Sequence, residues 1–223
     1  MRLIKISMLI LVAFASVSLA QSDSRTLIKD ASAVTVTNLN IEERNINHLL
    51  AKIAYTYNVP MSLEVARNED LLNGKSLKVQ LKKGTLADVL DNVIRQKPSY
   101  IWESGEGGIR VFPKSEFRDP VLQTLLETRI SHFIVSKSIA RLNFREALTS
   151  RPELAYLLAS YGIRPSNEAF QRLDIQSFGG DFSLDLENVS VRSILDSVIK
   201  NSRTKYWFIN RDGNNREYLL INF

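Results

Sequence analysis

The feature that most constrains the fold is a strand–helix–strand unit that the chain contains twice, at an offset of 105 residues. In the first copy, Leu77, Val79 and Leu81 alternate with polar residues, which predicts a strand with one apolar face. Thr85 follows at a position suited to cap a helix, because its hydroxyl can accept a hydrogen bond from a free backbone N–H. The helix itself is predicted from an apolar stripe at helical spacing, which consists of Leu86, Val89, Leu90, Val93 and Ile94.

The second copy repeats this pattern near the C-terminus. An alternating strand begins at Phe182, and Ser190 stands at the cap position. The second helical stripe consists of Val191, Ile194, Leu195, Val198 and Ile199. The tryptophans that close the two units, Trp102 and Trp207, keep the same offset of 105. Since the cap, the stripe and the tryptophan match without a gap, the sequence predicts an internal duplication.

The residues around the first unit complete the pattern of a small α+β domain. A helical stripe from Ile46 to Tyr57 begins after a cap at Asn45 or Asn47, and an alternating strand follows at Met61 to Val65. A hairpin is predicted at Ser104 to Gly108. The resulting order is β-α-β-β-α-β-β. Each helix has a single apolar stripe, so we predict two small βαββαββ-type domains with helices packed on one face of a small mixed sheet.

The first 20 residues are predicted to be a secretory signal peptide. Arg2 and Lys5 make a basic start, a short apolar run follows, and Ala20 precedes a cleavage site before Gln21. The run is shorter than the ~20 residues that a membrane span needs, although an uncleaved anchor stays open as an alternative. The predicted organisation continues with a flexible leader at 21–33, a first domain at 34–113, a linker with a short helix and a strand at 114–135, and a second, diverged domain at 136–223.

The amino-acid composition restricts the expected cellular location of the protein and the expected classes of partner. The chain contains no cysteine, so an exported fold must be held by packing alone, and the lipid anchor of a bacterial lipoprotein is excluded. The net charge is +5 for the whole chain and +3 without Arg2 and Lys5, with no long run of one sign. Nucleic acid is therefore not an expected partner. We expect a periplasmic or secreted bacterial protein with no membrane span after removal of the signal.

No residue pattern predicts catalysis, a cofactor or a metal site. The chain has two histidines, His48 and His132, and neither has a second ligand at metal-binding spacing. The glycines at 105, 107 and 108 precede a strand rather than a helix, so they predict a hairpin and not a phosphate loop. Trp102 and Trp207 are interpreted as core residues that close each sheet, with a stacking platform for sugar or peptide as the alternative.

A resemblance to a known family is carried by three segments: INHLLAKIAYTYNVPMSLEV (46–65), KSLKVQLKKGTLADVLDNVI (75–94) and SYIWESGEGGIRVFP (99–113). Over about 34–113 the chain resembles the short N-terminal domain shared by secretins and TonB-dependent receptors, and the related periplasmic ring domains of secretins. Because members of this family dock or form rings next to an outer-membrane pore, the resemblance implies protein–protein contact in the cell envelope. The sequence departs from the family in leaving no room after Phe223 for a secretin or receptor barrel, so pore formation and transport are not expected.

These observations favour a non-catalytic, exported envelope protein that acts as an interaction or assembly module, with a role accessory to a secretin or TonB-type system as its narrower form. The partner is expected to be another envelope protein or a second copy of the chain. Candidate partner-binding residues lie on the polar faces of strands in the first domain, and they are Lys78, Gln80, Lys82 and Arg110.

Two other functions stay open on the sequence. One is a small envelope enzyme, a glycan or peptide hydrolase, with carboxylates in a cleft between the domains. The other is a small-molecule binder in the same cleft. Buried tryptophans and an exposed polar sheet edge would favour the interaction module, whereas an exposed tryptophan beside two close carboxylates would favour the enzyme.

Overall fold

A computed structural model describes residues 30–67, 69, 71, 75–105, 108–135, 141–165, 182–211 and 218–223. Over these residues the protein has an α+β fold, which confirms the predicted class. The sequence also predicts a hairpin turn at Asp212–Gly213 before the last strand. That turn, the predicted signal peptide and the leader up to residue 29 lie outside the described residues.

Six α-helices and ten strands are found in the described ranges. The helices are α1 (Ile46–Tyr57), α2 (Leu86–Gln96), α3 (Pro120–Glu127), α4 (Arg141–Thr149), α5 (Pro152–Ser160) and α6 (Val191–Asn201). The strands are β1 (Thr35–Glu43), β2 (Met61–Glu64), β3 (Leu77–Thr85), β4 (Tyr100–Gly105), β5 (Gly108–Pro113), β6 (Arg129–Val135), β7 (Arg164–Pro165), β8 (Leu184–Ser190), β9 (Tyr206–Arg211) and β10 (Tyr218–Asn222).

The two halves of the chain share one six-stranded sheet in the order β4-β5-β2-β9-β10-β7. The junction is the parallel pairing of β2 with β9, in which Met61 lies opposite Tyr206 and Leu63 lies opposite Phe208. Strands β5 and β2 are also parallel, whereas β4–β5 and β9–β10 are antiparallel pairs. The hairpin between β4 and β5 closes at Gly105 and Gly108, as predicted.

The central sheet has a hydrophobic core on each face, one for each half of the chain. Strand β9 shows this directly, because Tyr206 and Phe208 pack into the core that includes α1 and α2. Trp207 and Ile209 point the other way, into the core that includes α3 and α6. Side chains alternate between the faces of a strand, so one strand serves both cores. The helices of each half therefore pack on one face of the shared sheet.

Each half also has a two-stranded antiparallel sheet at the start of its capped helix. In the first half β1 pairs with β3, and the Leu86 N–H at the start of α2 donates to the Val34 carbonyl at 2.9 Å. In the second half β6 pairs with β8, and the Val191 N–H at the start of α6 donates to the Thr128 carbonyl at 3.0 Å. The segment 114–135, expected as a linker with a short helix and a strand, thus contributes β6 to the sheet of the second half.

Several details repeat at the offset found in the sequence. Helices α2 and α6 begin and end 105 residues apart. Trp102 Nε1 donates to Asp91 Oδ1 at 2.8 Å, and Trp207 Nε1 donates to Asp196 Oδ1 at 2.9 Å. Internal duplication stays a prediction, and this matched pair of tryptophan–aspartate hydrogen bonds supports it.

The structure differs from the sequence-based expectations at three places. Helix α4 was not predicted, although its Phe144 and Leu148 are fully buried. Residues 30–33, expected to belong to a mobile leader, include a short 3-10 helix at Ala31–Ala33 whose Ala31 lies in the first core. Strand β2 was expected to alternate, a pattern that is typical of a strand with one solvated face. All four of its residues are buried instead, because both faces are covered where the halves meet.

Candidate functional site: the β3–α2 groove

An open groove of about 710 Å³ lies between β3 and α2. We call it the β3–α2 groove. Its lining consists of Leu81, Lys83, Asp88, Asp91, Asn92, Ile94 and Arg95. Strand β3 runs directly into α2 through Thr85, so the strand and the outer face of the helix form its two walls.

A capping box fixes the corner at one end of the groove. The Asp88 backbone N–H donates to the Thr85 hydroxyl at 3.3 Å, and the Thr85 N–H donates to the Asp88 carboxylate at 2.7 Å. The hydrogen bonds from the Thr85 N–H and hydroxyl lower the pKa of Asp88. Gly84 permits this close corner, because a Cβ there would lie 2.7 Å from Asp88 Oδ2. The carboxylate of Asp88 is thus ionised and already bound to donors at the helix start.

Strand β3 has an outer edge on the side away from β1. Among the contacts of the described residues, a side chain binds the backbone of this edge at Lys78. Gln96, at the end of α2, accepts from the Lys78 N–H at 3.1 Å and donates to the Lys78 carbonyl at 3.0 Å. Both backbone groups of Lys78 therefore face the outer edge. The register continues without a break from the Glu42–Lys78 pair to the Leu39–Leu81 pair. Since an antiparallel ladder alternates between inward and outward residues, the N–H and C=O of Gln80 face the same outer edge.

The ladder is interrupted one step further along the strand. Asn38 adopts a left-handed φ of 52°, and the register omits the pair that it would form with Lys82. Beyond the residue that Gln96 covers, β3 therefore offers an outer edge at Gln80 and a locally unpaired stretch at Lys82. An exposed strand edge of this kind can accept a strand from another chain.

Three of the four residues predicted to bind a partner lie together on this strand. The side chains of Lys78, Gln80 and Lys82 are exposed on the same face of the β1–β3 sheet. Gln80 Nε2 donates to Asn40 Oδ1 at 3.1 Å, and Lys78 Nζ lies 3.9 Å from Glu42 Oε2. Both contacts are exposed, so replacing them by contacts with a partner would cost little free energy. The predicted role of these residues stays a prediction.

Arg110, the fourth predicted residue, lies away from the groove in a cluster of charged groups where the two halves meet. Its Nη1 donates to Glu103 at 2.7 Å, and its Nη2 lies 3.3 Å from Glu64 Oε1. The side chain is also near the Phe112 ring, with 5.4 Å between the guanidinium carbon and the ring centroid. Arg110 is therefore engaged within the fold, and its predicted role in partner binding stays untested.

The centre of that cluster is Glu64, which the sequence reading did not single out. Glu64 is 2 % exposed and accepts hydrogen bonds from Arg192 of α6 and, at 2.7 Å, from Gln123 of α3. Arg192 also donates to Glu127 at 2.8 Å. A buried carboxylate needs such partners, because an isolated buried charge is strongly destabilising. The cluster joins β2 of the first half to α6 of the second, and each of its charged groups has a partner of opposite charge.

The two tryptophans are both held by an aspartate of their own helix, but they differ in burial. Trp207 is fully buried, and Trp102 is only partly buried against the first core. Burial raises the pKa of Asp196, the partner of Trp207, and the hydrogen bond from Trp207 opposes that shift. Neither tryptophan is exposed, and each indole N–H is bound within the fold, so the exposed tryptophan expected for a sugar-stacking enzyme site is not favoured.

No metal site and no histidine-based catalytic site is identified in the described part of the chain. Within those residues, no group of three or more potential ligands lies close enough to hold a metal ion. His48 is exposed on α1, and His132 Nε2 lies 2.9 Å from Asp185 Oδ1 on an exposed strand pair. No helix of the described residues is both long and apolar enough to cross a membrane.

The sequence reading did not single out Gln96 beside the groove, nor five residues of its lining: Lys83, Asp88, Asp91, Asn92 and Arg95. The helical period does place Asn92 and Gln96 one turn apart, and their side chains hydrogen-bond at 2.8 Å. What the period cannot show is that the end of α2 returns to the edge of β3, because that depends on how the helix packs. Glu64 had a weak signal in the sequence, since it is a charged residue in a short strand between the apolar residues Leu63 and Val65.

Comparisons with protein-family models, with curated proteins and with solved structures found no match for this chain.

Proposed function

We propose that the protein is a non-catalytic, exported module of the bacterial cell envelope that binds a partner protein along the outer edge of β3. The observation that carries this proposal is the position of Gln80, whose backbone N–H and C=O face an open edge beside the β3–α2 groove. Edge strands recognise other chains through main-chain hydrogen bonds, and a neighbouring groove supplies side-chain selectivity. In its narrower form the proposal makes the protein an accessory to a secretin or TonB-type system, following the resemblance of residues 34–113.

The hydrolase alternative receives less support from the same groove. Its carboxylates are Asp88, which caps α2, and Asp91, which accepts the Trp102 indole N–H. A glycosidase or peptidase acid that donates a proton near neutral pH needs a raised pKa, and the pKa of Asp88 is lowered. Asp196, whose pKa is raised by burial, lies outside the groove and is bound to Trp207.

Photo-crosslinking in living cells tests the proposal. A photoreactive amino acid replaces Lys82 beside the groove, and in a matched control it replaces Lys200, the residue of α6 that corresponds to Arg95 at the offset of 105. We expect Lys82 to give a discrete adduct with an envelope protein, identified by mass spectrometry, and Lys200 to give none. Recovery of the uncrosslinked chain from both positions would overturn the proposal, and hydrolysis of envelope polymers by the purified protein would then favour the enzyme.

A further inference from the structure

The β3–α2 groove has the dimensions of a site for a short extended peptide. The stretch of β3 from Val79 to Lys83, of which Leu81 and Lys83 line the groove, is about 14 Å long at about 3.4 Å per residue. Gln96 closes one end by occupying the backbone of Lys78, and the Thr85–Asp88 capping box closes the other. An added strand therefore has room for about five residues along the edge.

The charges around the groove are unbalanced in favour of positive groups. Lys82, Lys83 and Arg95 are exposed, and within the described residues none of them forms an ion pair. The two acids of the groove are already used, since Asp88 is bound to Thr85 and Asp91 to Trp102. A ligand that brings carboxylates would therefore meet cations without meeting free acids.

The two faces of the edge differ in polarity. On the outer face, Lys78 and Lys82 stand on either side of Gln80. On the groove face, Leu81 and Ile94 are half-buried and form an apolar floor. Because side chains of a strand alternate between faces, an added strand with acidic and apolar residues in alternation would place acids beside the lysines and apolar groups on the floor.

We propose that the β3–α2 groove receives an extended segment of the partner protein in which acidic and apolar residues alternate, and that this segment adds to β3 as a strand through the backbone of Gln80. This inference rests on the proposed function and specifies the chemistry of the partner. A cross-strand pair of opposite charge with Lys82 selects the segment, and Lys83 and Arg95 at the rim of the groove add to the attraction. Gln96 sets where the pairing ends, because its amide already fills the edge at Lys78.

The test uses fluorescence anisotropy with a labelled, end-capped peptide of three glutamate–valine repeats and the protein purified from the periplasm of an expression host. We expect the peptide to bind and a lysine–valine peptide of equal length not to bind. The double variant Lys82→Glu/Lys83→Glu should weaken binding at least tenfold, while Lys200→Glu changes it less than twofold. All three lysines are exposed, so the variants should keep the wild-type unfolding temperature.

Backbone methylation separates strand addition from attraction between charges alone. In one peptide the glutamate amides are N-methylated, and in the other the valine amides are. Only one set of amides faces β3: the glutamate set for an antiparallel strand and the valine set for a parallel one. We expect one methylated peptide to lose binding and the other to keep it, and equal affinity of the two would overturn the inference.

The outcomes also separate this inference from the function on which it rests. A crosslink at Lys82 in cells without binding of the glutamate–valine peptide would overturn the proposed partner chemistry and leave the interaction module standing. Absence of any crosslink at Lys82 would overturn both.

Discussion

At the scale of single residues, Glu64 is the side chain on which the junction of the two halves depends most. It is 2 % exposed and binds groups from β5, α3 and α6, so its charge is neutralised by residues far apart in the sequence. The two guanidiniums beside it, from Arg110 and Arg192, would lose their shared counter-ion if the carboxylate were removed. A buried charge without its partner costs more than the intact pair contributes.

We predict that Glu64→Gln lowers the free energy of unfolding by about 3–5 kcal/mol, which is the usual cost of removing one charged partner of a buried ion pair. The matched control is Glu42→Gln, whose exposed contact with Lys78 spans 3.9 Å and should be worth at most about 1 kcal/mol. Urea denaturation followed by circular dichroism measures both. Equal effects of the two substitutions would show that Glu64 is not a buried counter-ion.

At the scale of elements, the tryptophan–aspartate pair occurs once in each half with nearly the same hydrogen-bond length. The two copies differ in surroundings, because Trp207 is fully buried and Trp102 is not. The same substitution should therefore have unequal effects. Loss of the indole N–H removes a donor from a half-buried carboxylate in the second half but from an exposed one in the first.

We predict that Trp207→Phe lowers the free energy of unfolding by about 2–3 kcal/mol, from lost packing and an unsatisfied Asp196, and Trp102→Phe by about 1 kcal/mol. Each variant is the control for the other, and thermal and urea unfolding give the comparison. A larger loss for Trp102→Phe would contradict the burial that distinguishes the two halves.

Elements with local signals were predictable from the sequence, and elements defined by packing were not. Helices α1 and α2 begin where the caps Asn45 and Thr85 stand, because capping and an apolar stripe act within a few residues. Strand β2 lost its expected alternation because the second half covers its other face, and no local pattern reports that. The same limit applies to the site: Gln80 was recognised as polar and exposed, but its open edge depends on the pairing of β3 with β1.

At the scale of the whole molecule, the two halves are joined through the pairing of β2 with β9 in one continuous sheet. Strand β9 contributes side chains to both cores, so the first core is incomplete without the second half. The sequence indicates two similar units, whereas the pairing couples their stabilities.

We predict a single cooperative unfolding transition in scanning calorimetry, with equal calorimetric and van't Hoff enthalpies. Glu64→Gln should move that whole transition to lower temperature, because the ion cluster spans the junction. Two separate transitions, with the substitution affecting only one of them, would show that the halves fold independently.

The most direct test of the account is the exchange rate of the Gln80 backbone amide with solvent, measured by NMR on the free protein and on the protein saturated with the glutamate–valine peptide. Val79 and Leu81 are internal references, because the ladder directs their amides toward β1. We predict that the Gln80 amide exchanges much faster than both references in the free protein and at least tenfold more slowly when the peptide is bound. A Gln80 amide as protected as Val79 and Leu81 in the free protein, or one unchanged at saturation, would contradict the claim that β3 presents an open edge for a partner strand.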